Sequence, residues 1–245
     1  CVSACYTSRV ESGILVVLSL LTCLFIFIVF NTVDFFIFFI VFEFILFPVF
    51  YLIGQWGSRS ERVNAAYFLY LFTAFGSLFF IASILAINVN VGIFSYHDLF
   101  HELKFINPIV REFVWFCCFI AFAVKVPLVP FHSWLTVAHV EAPTVGSVLL
   151  ASLLLKVGGY GIIRFLISWF PDITFLYQSF IVILCLWGGL FAVFNAFRQV
   201  DLKRFIAYTS IAHMHFLILS LFTLTDFGYL AAMHGMISHG LIAAG

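Results

Sequence analysis

The sequence predicts an all-α polytopic membrane protein, and three observations carry that reading. Hydrophobic residues make up 64% of the 245 residues and charged residues only 9%, whereas soluble domains are nearer half apolar and a quarter charged. Apolar runs recur at about the 20 residues a helix needs to cross a ~30 Å hydrocarbon core. The short alternating segments that mark an outer-membrane barrel are absent from the sequence. The same composition excludes other classes. Eleven Lys+Arg against eleven Asp+Glu leave no basic surface for nucleic acid. Six cysteines (Cys1, Cys5, Cys23, Cys117, Cys118 and Cys185) lie scattered among apolar runs and do not form a secreted disulfide framework.

Eight helical spans are expected, at about 13–30, 34–54, 63–88, 112–130, 143–168, 175–197, 205–222 and 227–245. The first could be mistaken for a signal sequence, but its neighbours are equally apolar, so it reads as a span. The second carries Glu43 and Pro48. The third is featureless apart from its length. The connection 89–111 holds His97, Asp98, His101, Glu102, Lys104 and Arg111. The fourth span carries Lys125, Pro127 and Pro130. Residues 131–142 (FHSWLTVAHVEA) are too polar and short to span, and read as a short helix at the interface or a re-entrant segment. The fifth carries Lys156 with Gly158, Gly159 and Gly161. The sixth is apolar. The seventh holds His213 and His215, the eighth His234 and His239. The chain begins at Cys1 and stops inside an apolar run at Gly245, so it reads as a piece of something longer. Its 35 Phe, a residue of T-rich codons, suggest an AT-rich genome such as a mitochondrial one.

Orientation follows the loop cations. Arg9, Arg59, Arg62, Arg198, Lys203 and Arg204 collect on one side, against Lys104, Arg111 and Arg164 on the other. The positive-inside rule places the first group in the matrix or cytoplasm.

Three charges sit near mid-span. Glu43 is nine residues into its helix, about 13 Å along the axis, and Lys125 and Lys156 lie thirteen residues after Glu112 and Pro143. Each costs about 2.5–3.5 kcal/mol there even on the lenient insertion scale. Pairing Glu43 with a lysine of another helix relieves that cost. The plain reading is a structural ion pair, which leaves the second lysine without a partner. The functional reading is a proton relay. A carboxylate that approaches or leaves a desolvated lysine changes whether that lysine keeps its proton, and two lysines with one carboxylate titrate as a coupled set. Pro127 and Pro130 should stop or kink the helix just after Lys125. Freed backbone at membrane depth is tolerated only where it is buried or lines a cavity, and broken helices flank ion sites in transporters. The glycines after Lys156 permit close helix contact. His213, His215, His234 and His239 add hydrogen-bonding or titratable groups at the same depth, though any one of them reads equally well as an inert, satisfied core histidine. His132 and His139 are weaker candidates near the interface. The His and Cys residues lack metal-ligand spacing, and no regular His pair suggests haem. The chain has no Walker A, GxGxxG or CxxC motif, so nucleotides and iron–sulfur clusters would bind elsewhere.

Residues 122–165 (FAVKVPLVPFHSWLTVAHVEAPTVGSVLLASLLLKVGGYGIIRF) resemble the signature stretch of the antiporter-like subunits of respiratory complex I. So do FEFILFPVFYLIGQWG (42–57), ERVNAAYFLYLFTAFGSL (61–78), DLKRFIAYTSIAHM (201–214) and HGMISHGLIAAG (234–245). The pattern is most similar to the subunit 4 family. Subunits 2 and 5, and the multisubunit sodium/proton antiporters, share the fold but match less well. The resemblance implies a part of a 14-helix antiporter-like fold, with inverted five-helix repeats and discontinuous helices. Residues 1–168 would hold the first repeat with its leading segment, and 169–245 the incomplete start of the second. It also implies roles: Glu43 as the fifth-span glutamate, Lys125 at the break of the seventh helix, Lys156 in the eighth, and His213 and His239 linking two half-channels. A second break is expected near Ser238–Gly240. The second repeat's charged residue would lie beyond Gly245.

The resemblance thus implies a proton-translocating subunit of NADH:ubiquinone oxidoreductase in the mitochondrial inner membrane, without a redox site of its own. Flavin, iron–sulfur clusters and quinone would belong to other subunits. Its expected partners are subunit 2-like and subunit 5-like neighbours, lipids, and a source of the missing spans. The alternative is a subunit of a secondary sodium/proton antiporter.

Overall fold

The structure, a computed structural model, describes residues 9–244; Cys1, Cys5 and Gly245 lie outside the described residues. The protein is a bundle of helices. In order they are α1 (Arg9–Asn31), α2 (Phe35–Phe44), α3 (Leu46–Trp56), α4 (Arg62–Asn90), α5 (Tyr96–Glu102), α6 (Pro108–Lys125), α7 (Ser133–Glu141), α8 (Thr144–Leu149), α9 (Leu155–Gly161), α10 (Pro171–Phe197), α11 (Leu202–Leu221) and α12 (Asp226–Ala244). Two π-helical stretches, Leu150–Leu154 and Ile162–Ile167, join α8 to α9 and extend α9. Five stretches of the described chain are long and apolar enough to cross a membrane alone: Gly13–Asn31, Phe35–Trp56, Arg62–Asn90, Thr144–Ile167 and Pro171–Phe197. This is a multi-pass membrane protein.

Polar residues set the helix ends. The Asp34 side chain accepts from the N–H groups of Phe36 and Ile37, both at 2.9 Å, and so caps α2. Asn107 caps α6 with Pro108 in its first turn, where a missing N–H does no harm. The helix therefore starts four residues before the Glu112 read from hydropathy. Asp201 caps α11 through Lys203 N–H at 3.0 Å. The second span bends at Ile45, because Pro48 cannot donate to the carbonyl four residues back.

The 89–111 connection contains the short helix α5. Residues 131–142 form a short helix enclosed by protein: Trp134, Leu135, Thr136, Ala138, His139, Val140 and Glu141 of α7 are buried, and α7 packs against α4 and α11. Burial solves its polarity, since a short polar helix is expensive in lipid but not inside protein. The expected break at Ser238–Gly240 does not occur, and α12 runs through it. No proline lies there, so every N–H remains able to continue the ladder, and glycine alone weakens a helix without breaking it.

The core is aromatic. Phe35, Phe38, Phe42, Phe80, Phe122, Phe165 and Trp169 are each at most 2% exposed. They meet edge to face or stacked, with ring centroids 4.7 Å apart for Phe38–Phe165 and 5.4 Å for Phe80–Phe122. Lipid supplies no hydrophobic drive between helices, so close packing must hold the bundle, and interlocked rings provide it. Leu20, Leu71, Leu78 and Leu190 instead point outward, as lipid contact requires.

Loop contacts agree with the grouping of the loop cations into two ends. Arg59 Nη2 pairs with Asp201 Oδ2 at 2.5 Å, and Lys203 Nζ reaches Ser58 Oγ at 3.4 Å, so the loops before α4 and α11 share one end. Arg59 holds the Asp201 carboxyl below the usual carboxylate range. The opposite end is tied by Arg111 Nη2 to Asp172 Oδ1 at 2.9 Å.

Candidate functional site

The site is built around the gap between α6 and α7. Pro127 and Pro130 have no N–H to give. Val126 N–H still reaches Phe122 O at 2.8 Å, and Leu128 N–H reaches Ala123 O at 2.9 Å. Val129 N–H then leaves its own segment and donates to His215 Nε2 at 3.0 Å. On the other side of the gap, Trp134 Nε1–H donates to Val124 O at 2.8 Å. Protein groups thus receive the backbone that the break releases, as membrane depth demands. Trp134→Phe should lower the unfolding temperature of the purified protein. It strands the buried Val124 carbonyl, which costs about 1–3 kcal/mol. An unchanged melting profile would contradict this account of the break.

Lys125, the last residue of α6, is 3% exposed. Its Nζ lies 3.8 Å from Glu43 Oε1 and 4.3 Å from the centroid of the Phe42 ring. Both contacts come from the end of α2, just before the bend at Ile45. At 3.8 Å the pair attracts without a direct hydrogen bond, and Glu43 Oε1 has no other protein partner.

Lys156 lies just after the first π stretch. Its Nζ donates to Ala151 O at 2.5 Å and sits 2.7 Å from His239 Nδ1. An ammonium only donates, so against charged Lys156 the Nδ1 atom must accept, which puts the ring proton on Nε2. The same contact lets one proton pass between the two nitrogens. His239 is 7% exposed, and its ring centroid is 5.6 Å from that of His213. Lys156, His239 and His213 therefore stand in a row from α9 through α12 to α11. The sequence left Lys156 unpartnered; its partner is 83 residues away. Within the described chain, His239 is covered by Lys156 of α9 and by the π turn before it. His213 and His234 are exposed.

The two lysines do not touch. Their helices meet at Gly158, where an added Cβ would stand 3.2 Å from Lys125 Cβ and 2.7 Å from Val126 Cγ2. Beside Lys156 a cleft of ≈ 480 Å³ opens between α1, α9 and α12, lined by Phe30, Tyr160, Met236 and Gly240 among others.

A second polar group sits at the Lys203 end. Lys203 Nζ donates to Ala142 O at 3.0 Å and Val140 O at 3.3 Å, closing the end of α7. His139 and Glu141 are each 6% exposed, and His139 Nδ1 and Glu141 Oε2 have no protein partner. Glu141 escaped the sequence reading, although it stands two residues after His139 in a segment already read as too polar to span. The ring of His132 meets Phe191 edge to face and lies tilted against Tyr208. Among the described residues no three His, Cys, Asp or Glu side chains converge as metal ligands would.

Residues 32–245 match the family described as "NADH:quinone oxidoreductase/Mrp antiporter, TM". The chain is 44% identical over 195 residues to NADH-ubiquinone oxidoreductase chain 4 of Acanthamoeba castellanii, a match that covers 79% of this chain and 39% of that one. It is 39% identical over 193 residues to NADH-quinone oxidoreductase subunit M of Rickettsia prowazekii, with the same coverage. The chain therefore spans well under half the length of the curated relatives it matches. Among solved structures it resembles a chain of respiratory complex I from Thermus thermophilus with bound NADH. The TM-score is 0.86 at 28% identity, covering 94% of this chain and 49% of that one.

Proposed function

The chain belongs to the NADH:quinone oxidoreductase/Mrp antiporter transmembrane family, and from that membership we propose that it moves protons in the membrane arm of an NADH:ubiquinone oxidoreductase. The observation that carries the reading is the buried Lys125 beside Glu43 at a helix break. A carboxylate at 3.8 Å stabilises the ammonium; if it withdraws, the charge is left uncompensated among apolar groups and the proton moves on. Lys156, His239 and His213 supply a second exchange line. In this reading Lys156 takes a proton from the matrix side, exchanges it with Lys125 under the control of Glu43, and the His239–His213 row carries it onward. The chain itself does no redox chemistry. Flavin, iron–sulfur clusters and quinone act in other subunits, and their turnover changes charges next to this one. The setting is the mitochondrial inner membrane, which fits the relatives named chain 4 from eukaryotes. Subunit 2-like and subunit 5-like chains would flank the fold. The division at 168 into a complete and an opening inverted repeat belongs to the same proposal.

A second reading, a subunit of a sodium/proton antiporter, is favoured by the family's breadth. The Mrp complex from Dietzia sp. DQ12-45-1b has the same fold, at a TM-score of 0.85 and 20% identity. Gentle extraction of the native membrane decides between them. Copurification with flavin- and iron–sulfur-bearing chains is expected. Recovery of the chain only with other antiporter-like chains, free of both cofactors, would favour the antiporter.

A further inference from the structure

We propose that His215 is a positioning residue that holds the discontinuous helix open at Val129 and thereby fixes Lys125 opposite Glu43. The proposal rests on the relay reading above. His215 is fully buried on α11, and it reaches across to the gap from a different helix, 86 residues away in sequence.

Hydrogen-bond accounting gives it that role. In a regular helix Val129 N–H would bond to the carbonyl four residues back, which is Lys125 O. Pro127 and Pro130 can give nothing. Val126 and Leu128 are satisfied within α6. Val129 N–H is thus the donor that could carry the helix on past Lys125, and His215 Nε2 takes it at 3.0 Å. The prolines weaken the ladder; His215 removes the bond that would bridge the weak point.

The imidazole state follows from the same contacts. Val129 N–H only donates, so Nε2 accepts. The ring proton then sits on Nδ1, which faces Ile211 O at 2.8 Å. The side chain must donate on one edge and accept on the other, which a neutral imidazole does. Space for the ring is made by Gly188 of α10. A Cβ there would strike the imidazole and stand 3.2 Å from Val129 Cβ. Three helices therefore converge on one hydrogen bond, two residues along the chain from Pro127.

A positioning role predicts a loss of coupling rather than of assembly alone, since small misplacements of reacting groups are disproportionately costly. The test uses the whole assembled complex and reads protons moved per electron pair. His215→Leu keeps bulk but offers no acceptor; His215→Gln offers an amide oxygen; Gly188→Ala keeps the histidine but crowds its ring. Electron transfer should continue in all three, with proton yield lost in His215→Leu and Gly188→Ala and regained in His215→Gln. A merely structural histidine would lower the amount of complex but leave the yield of the surviving complex unchanged. Full yield in His215→Leu, or a loss in His215→Gln equal to that in His215→Leu, overturns the proposal. If His215→Leu does not assemble, the other two decide: full yield in Gly188→Ala or lost yield in His215→Gln overturns it. Lys125→Ala is measured alongside. Normal yield there removes the relay itself, whereas lost yield there with normal yield in His215→Leu removes only the positioning role.

Discussion

Glu43→Gln and Lys125→Ala are each expected to stop proton-coupled work while the protein still assembles. Lys125 is 3% exposed, and the charge it faces is Glu43 at 3.8 Å. The Phe42 ring at 4.3 Å offers cation–π attraction, which compensates only part of a buried charge. Glutamine keeps the volume and polarity of Glu43 but not its charge, so Lys125 loses the group that makes its proton affinity adjustable. Lys125→Ala removes the carrier itself. The structural alternative predicts a different failure. Stranding one member of a buried ion pair costs about 3–5 kcal/mol, enough to unfold or disassemble a marginal protein. Assembly with lost pumping supports the relay, and lost assembly supports the strut. A double variant, Glu43→Gln with Lys125→Met, sharpens the contrast. Removing both partners should rescue a strut, since replacing a whole buried pair is often close to neutral. A relay stays silent. Normal proton yield in an assembled Lys125→Ala protein would sink the relay.

Much of this site was legible because its parts break rules that a membrane span otherwise obeys. Glu43, Lys125 and Lys156 stand out in apolar helices by their cost, and Pro127 and Pro130 announce where α6 must stop. The Glu43–Lys125 partnership followed from depth, since both sit too far from either surface to reach water. What the sequence could not supply was any contact governed by packing. Lys156 and His239 lie 83 residues apart, and depth alone did not choose His239 over its neighbours. The π turn that brings Ala151 O onto Lys156 Nζ carries no composition signal, since Leu150–Leu154 reads as ordinary apolar helix.

The histidines divide in an instructive way. His213 and His215 are two residues apart on one helix, and so point to different faces. One meets His239 and the other takes Val129 N–H, and sequence spacing fixes neither partner. The misplaced break at Ser238–Gly240 has the opposite cause. It was inferred from resemblance, and the local chemistry did not support it, because the residues present keep every N–H. The burial of α7 was not legible because polarity marks a segment that cannot face lipid without saying whether solvent or protein surrounds it; here α4 and α11 surround it. Hydropathy sees the lipid face well and the protein interior poorly.

Gly158→Val should damage both stability and coupling, whereas a methyl added one residue later should be tolerated. At Gly158 even the Cβ would lie 2.7 Å from Val126 Cγ2, 3.1 Å from Val126 N and 3.2 Å from Lys125 Cβ. Val126 N–H is already committed to Phe122 O at 2.8 Å, in the last turn of α6. The obstacle is therefore backbone fixed by a hydrogen bond, which has little room to yield. Either α9 backs away or the end of α6 unravels, and both change the separation of Lys125 from Lys156, two residues before Gly158. Overpacking of this kind costs about 1–3 kcal/mol, occasionally more. At Gly159 the added Cβ would meet Met236 Cε at 2.7 Å and Sδ at 3.2 Å. That is the far end of a flexible, unbranched side chain, which swings aside at small cost. Thermal unfolding and proton yield of Gly158→Ala, Gly158→Val and Gly159→Ala test the contrast. Progressive loss through the first two, with Gly159→Ala close to the parent protein, is the expected order. Equal damage from Gly158→Ala and Gly159→Ala would mean that α9 needs glycine for its own backbone, and that its close approach to the Lys125 break is incidental.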